Sequence, residues 1–155
     1  MMTEPAVPEK TVIVRGFRTA NPAYFLGRWK CGDVPWIFVK KKMDAWIEVR
    51  YGNPAEPDGV ARFGYVEALK RYVYRDFHFE GSYADLTATF QGGKTNGTGR
   101  WEFTGPYYPA HAATPLYGVI AYQIIDKNRY DRSFASKQPD GTIKKMGSDT
   151  CRRVS

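Results

Sequence analysis

Short aromatic runs broken by turn chemistry leave this chain few folds to choose from. Tyr, Phe and Trp, at 11, 9 and 4 copies, alternate with β-branched and polar residues, the composition of half-buried strands. The pattern predicts strands near residues 24–31, 36–42, 45–51, 60–66, 72–80, 83–90, 100–104, 116–125, 130–137 and 142–153. Between them stand GNPAEPDG, GGKTNGTG, GPYYPAHAATP, DKN and QPDG, where Gly, Pro, Asn or Asp lets the chain reverse. About ten short antiparallel strands joined by hairpins predict an all-β fold, a sandwich or a closed barrel. Helix signal is confined to NPAYFLG, where Asn21 offers an N-cap and Pro22 a first helical position, enough for one turn.

A chain of 155 residues suits one domain, and the expected division is a flexible segment over 1–20 and a barrel domain over 21–155. The hydrophobic share of 43% excludes a disordered chain, and the apolar run a membrane helix needs is absent. The opening MMTEPAVPEKTV lacks the basic start and apolar stretch of a secretory leader, so a cytoplasmic protein is expected. The net charge of +7 favours anionic partners in general. Its basic residues are scattered in short groups, so neither nucleic acid nor a membrane is expected as partner. A monomer and a homodimer are both compatible with these features.

Chemistry-bearing motifs are few. His78 and His111 are the only histidines and the two cysteines are far apart, so no metal site and no cofactor is expected. The chain has no Gly-x-Ser-x-Gly elbow, and GGKTNGTG has the wrong spacing for a phosphate loop. The informative stretch is YVYRDFHFEG. Strand alternation puts Tyr72, Tyr74, Asp76, His78 and Glu80 on one face, with Val73, Arg75, Phe77 and Phe79 on the other.

If the Arg75 face is inward, the barrel encloses an apolar cavity for a small hydrophobic or amphipathic ligand. Arg75 and Arg132 would then anchor an anionic group, with Phe77, Phe79, Trp101, Tyr122 and Tyr130 as walls. Apolar rows elsewhere, Ala84 with Leu86 and Ala88, and Trp101 with Phe103, favour this orientation. If the other face is inward, His78 with Asp76 or Glu80 forms an acid–base set. That set would suit a cofactor-independent cyclase, isomerase or lyase. The loop Gly105–Pro115 is either a lid or a plain connection, with His111 solvated at its tip.

FLGRWK near the start and DTCRRV at the end resemble the calycin superfamily of lipocalins and fatty-acid-binding proteins. There a Gly-x-Trp motif on the first strand meets a basic residue from the end of the chain; here these would be Gly27, Trp29 and Arg152 or Arg153. The opening GxWxC, the central LKRYVY and the closing PDGTIKKMGSDTC are also similar to an uncharacterised bacterial lipocalin-like family. The resemblance implies a single antiparallel up-and-down barrel. In such a barrel the first and last strands are neighbours, which brings Cys31 and Cys151 within bridging range if they share a face. Two reduced core thiols are the expectation for a cytoplasmic chain, and a disulfide is the alternative.

Overall fold

The computed structural model describes residues 22–40, 46–91 and 99–154. They form ten strands: β1 (Gly27–Cys31), β2 (Val34–Lys40), β3 (Ile47–Asn53), β4 (Glu56–Val66), β5 (Arg71–His78), β6 (Tyr83–Gln91), β7 (Gly99–Tyr108), β8 (Leu116–Asp126), β9 (Arg129–Lys137) and β10 (Ile143–Arg153). Each strand pairs antiparallel with the next and β10 returns to β1, which closes the sheet into an up-and-down barrel. The all-β fold expected from the aromatic runs, and the up-and-down barrel implied by the resemblance, are the ones observed. The expected segment 1–20 and most of GGKTNGTG lie outside the described residues. Among the described residues, no helix is long and apolar enough to cross a membrane.

Two strands run longer than the pattern predicts. β4 begins at Glu56, because a register shift between Tyr51 and Gly52 absorbs Pro57 and Gly59 into the ladder. β7 continues to Tyr108, pairing with β8 as far as Leu116, so the connection after it shrinks to residues 109–115.

One end of the barrel is sealed. A 3-10 turn at Pro22–Phe25 precedes β1 and drives the Phe25 ring into the lumen, against Phe38, Phe63, Tyr122 and Tyr130. Trp29 donates its indole N–H to the Phe25 carbonyl at 2.8 Å. Arg153 then locks the turn in place. Its guanidinium lies 4.2 Å from the Trp29 ring centroid and donates to the Leu26 and Tyr24 carbonyls, each at 2.8 Å, and to the Lys127 carbonyl at 3.1 Å. Of the two candidate basic residues, Arg153 is the one on Trp29.

The β1–β10 seam is short. It holds the pairs Trp29–Arg153, Lys30–Arg152 and Cys31–Cys151; beyond Cys151, apart from the Gly32 N–H donated to the Thr150 carbonyl at 3.1 Å, the rest of β10 pairs only with β9 among the described residues. That free stretch carries a register shift between Lys145 and Gly147, and its residues from Ile143 to Asp149 are exposed. The last rung of the seam is covalent: Cys31 and Cys151 form a disulfide across 120 residues. The pair stands where closure of the barrel puts it, but the bond replaces the reduced thiols expected of a cytoplasmic chain. Both sulfurs lie on the buried face, where neighbouring rungs hold them together.

Two outcomes follow for stability. Reduction of the disulfide, seen as a gain of two protons by mass, should lower the thermal midpoint by on the order of 10 °C, because a loop of this length contributes about 4 kcal/mol. Arg153→Ala should cost about 2–4 kcal/mol in denaturant unfolding, since it strands carbonyls at the sealed end. Arg153→Lys should recover little of that, lacking a planar fork to reach them together.

Candidate functional site

Directly opposed residues of an antiparallel pair share a face of the sheet. β5 sets Tyr72, Tyr74 and Asp76 opposite Ala88, Leu86 and Ala84 of β6, and opposite Tyr65, Phe63 and Ala61 of β4. Those apolar partners line the barrel interior, so the Tyr-Asp-His face of β5 points inward with them. Asp76 is 3% exposed, whereas Phe77 and Phe79 are 49% and 59% exposed.

The first sequence-based orientation is therefore corrected. Arg75 stands on the outer surface, 3.4 Å from Asp85, and Phe77 packs outside on Tyr83. Phe79 stands at the rim of the open end. The expectation matched apolar side chains to apolar side chains, but the β5–β6 turn, held by His78 N–H to the Ser82 carbonyl, fixes the register. Tyrosine rings then fill the interior in place of phenylalanines. Arg132 does face inward. Trp101, Tyr122 and Tyr130 are inside as well, but packed into the core: Trp101 against Tyr72 at 4.7 Å, and Tyr122 stacked on Tyr130 at 5.5 Å.

Aromatic packing fills the sealed half and leaves a cleft of about 690 Å³ at the open end. It opens where β10 parts from β1, with Cys31 and Val34 on one side and Arg132 and Asp149 on the other. Its floor is a stacked row. The Arg132 guanidinium lies 4.9 Å from the Trp36 ring, Trp36 stacks on Tyr51 at 4.7 Å, and Tyr51 meets the His78 ring at 5.1 Å. The Tyr51 end of the row depends on Gly59, whose missing side chain leaves the space that the Tyr51 hydroxyl occupies. Trp36, Tyr51 and Gly59 were not picked out by sequence reasoning. The available signal was the alternation of VPWIFVK and IEVRYGN, which already sets the aromatic residues on single faces.

Asp76 ties this row to a charge. Its carboxylate accepts from the Tyr51 hydroxyl at 2.5 Å, and its other oxygen lies 3.6 Å from His78 Nε2. Burial, and then the Asp76 charge, raise the Tyr51 phenol well above its ordinary value, so it serves as a donor. The contact with Asp76 raises His78 above its ordinary value of 6.5, against opposing effects of burial and of Arg132. Of the predicted acid–base set, the structure brings His78 and Asp76 together. Glu80 is outside that contact. Its carboxylate is held by the Ser82 hydroxyl and backbone N–H, which lower its affinity for a proton, and it stands at the rim.

The Arg132 side chain is 16% exposed, and its nearest carboxylate oxygen, on Asp149, is 3.9 Å away. Its Nε, with the hydroxyls of Tyr74 and Tyr122, is buried without a hydrogen-bond partner. Buried polar groups are rarely left so, and a cluster of them beneath a cleft is where a polar group of a ligand would be held. Among the described residues no group of His, Cys, Asp and Glu is arranged to hold a metal ion. His111 is exposed in the 109–115 connection.

These features define a closed ten-stranded antiparallel barrel with a polar-floored cleft at one mouth, an architecture compatible with the lipocalin-like class. No family model matches the chain, and no curated protein matches it.

Proton NMR of the His78 ring across pH should give a midpoint above 6.5 that falls in Asp76→Asn. Because the folded value is the raised one, the His78–Asp76 pair should stabilise the protein fully below the unfolded value, and that contribution should fade as pH rises through the folded midpoint. Denaturant midpoints compared across that window in both proteins check the sign.

Proposed function

We propose that this protein binds a small amphipathic anion in the cleft at the open end of a lipocalin-like barrel. The observation that carries the reading is Arg132, a buried guanidinium with an unpartnered Nε and only a loose carboxylate contact. A carboxylate or sulfonate of a ligand would meet the part of the guanidinium that faces the cleft, in a setting largely withdrawn from water. Trp36 and Tyr51 line the cleft beside it, and Val34 and Phe79 stand at the mouth for the rest of the ligand. The volume lies in the range of small-molecule pockets. The Gly27-x-Trp29 strand capped by Arg153 supports the calycin likeness, in which the sealed end is structural and the open end receives the ligand.

A second reading is favoured by a separate observation, the Tyr51–Asp76–His78 chain of contacts. An oriented imidazole beside a cation is the equipment of a cofactor-independent isomerase, cyclase or lyase. In this reading His78 is the acid–base group and Asp76 positions it, while Glu80 has no part in the proton transfer.

Fluorescence titration with anilinonaphthalene sulfonate, an aromatic anion, and with uncharged anilinonaphthalene separates the charge from the apolar walls. The sulfonate should bind the native protein, and Arg132→Gln should weaken it by about ten- to a hundredfold while leaving the uncharged probe nearly unchanged. Equal loss of both probes, or no effect on either, would count against an anion held by Arg132.

A further inference from the structure

We infer that the cleft carries out proton transfer at the carbon next to a carbonyl, on a small aromatic monoanion of the α-oxo acid class. The inference rests on the anion-binding reading of Arg132 and extends it to a reaction. Three features of the cleft, taken together, select that substrate class.

The first is the arrangement of charge along the floor. Arg132 and His78 stand at opposite ends of one stacked row and both line the same cleft. A carboxylate on Arg132 leaves the adjoining keto oxygen within the same guanidinium's reach, since Arg can hold two oxygens side by side. The acidic C–H of an α-oxo acid lies one carbon further on, toward His78.

The second is the support behind His78. Asp76 is buried and already accepts from Tyr51, so it is fixed before any substrate arrives, and it turns the imidazole and increases its basicity. This is the base-and-orienter pattern of general base catalysis.

The third is the charge of the rim. Glu56, Asp58 and Glu80 are exposed carboxylates on the cleft wall, in addition to Asp149 beside Arg132. A second anionic group at the far end of the ligand would meet these carboxylates, whereas an aromatic ring would meet Phe79 and Val34. The site thus selects a single negative charge at the deep end and an apolar group at the mouth.

The step balances without a co-reactant. His78 takes the proton from the carbon next to the carbonyl, the C–H electron pair forms the carbon–carbon double bond, and the carbonyl π pair moves onto oxygen as an enolate beside Arg132. The proton held by His78 returns either to oxygen, giving the enol, or to carbon, giving exchange. Nothing is oxidised or reduced.

The test uses phenylpyruvate, an aromatic monoanionic α-oxo acid, and oxaloacetate, an enolisable dianion. Native protein in heavy water should speed the loss of the phenylpyruvate methylene proton signal well above the buffer rate, and oxaloacetate exchange much less. His78→Gln should lower the protein-dependent rate by about a hundredfold or more, with phenylpyruvate binding, read by tryptophan quenching, retained. Arg132→Gln should instead raise the concentration needed for half-maximal rate. His78→Asn serves as a second variant, and circular dichroism checks that each is folded.

Binding of phenylpyruvate with no acceleration by native protein would overturn the inference while leaving the anion-binding reading intact. Binding of anilinonaphthalene sulfonate but not phenylpyruvate would overturn it on substrate class. Acceleration that survives His78→Gln would overturn the role of His78. Failure of both anions to bind would remove both readings together.

Discussion

Closure of the barrel at the β1–β10 seam is the constraint on which everything else depends. A meander of hairpins is held rung by rung by neighbours in sequence, but the seam joins the two ends of the fold. It has few ladder rungs to do so. The chain strengthens it at both limits, with the Arg153 clamp over Trp29 at one and the Cys31–Cys151 bond at the other. Between them these contacts convert an open sheet, whose two outer strands would each need a cover, into a sheet whose edges meet.

The site follows from where that seam stops. Past the disulfide and the Gly32 N–H to Thr150 carbonyl bond, β10 leans on β9 alone among the described residues, and the gap it leaves beside β1 and β2 is the entrance to the cleft. Packing explains why the cleft is shallow. Phe25 and the rings around it occupy the sealed half of the lumen, so a ligand can reach only the level of Trp36, Tyr51 and Arg132. The charged groups are arranged by depth, with Arg132 and Asp76 within and carboxylates on the rim. A guanidinium at that depth would be costly if its only partners were aromatic faces, and its loose contact with Asp149 leaves room for a better acceptor.

Much of this was legible in the amino-acid order. Alternating aromatic runs and turn residues are local signals, and they located all ten strands and the Pro22 turn, while the pairing of the first and last strands followed from the up-and-down barrel that the resemblance implies. The inward direction of Arg132 was also readable, because it interrupts a row of rings. The direction of β5 was not, since both of its faces carry aromatics and only the register with β6 decides between them. Tyr72 and Tyr74 read as polar in a strand pattern, yet each presents a large apolar body to the core. Gly59 was unreadable for a different reason: its purpose is the space it gives to Tyr51, a residue on the neighbouring strand. The state of the cysteines was misjudged because compartment was taken as the guide, while proximity on a buried face proved the stronger one.

The free stretch of β10 has a consequence for how this molecule behaves in company. Among the described residues, the backbone from Ile143 to Asp149 presents a strand edge, the kind of template onto which another chain can add and begin a growing fibril. Here the template is spoiled along its own length. Lys144 and Lys145 place adjacent positive charges on it, and the register break before Gly147 bends the line of donors and acceptors that an incoming strand would have to match. The gap beside the cleft is thereby a poor template for an incoming strand.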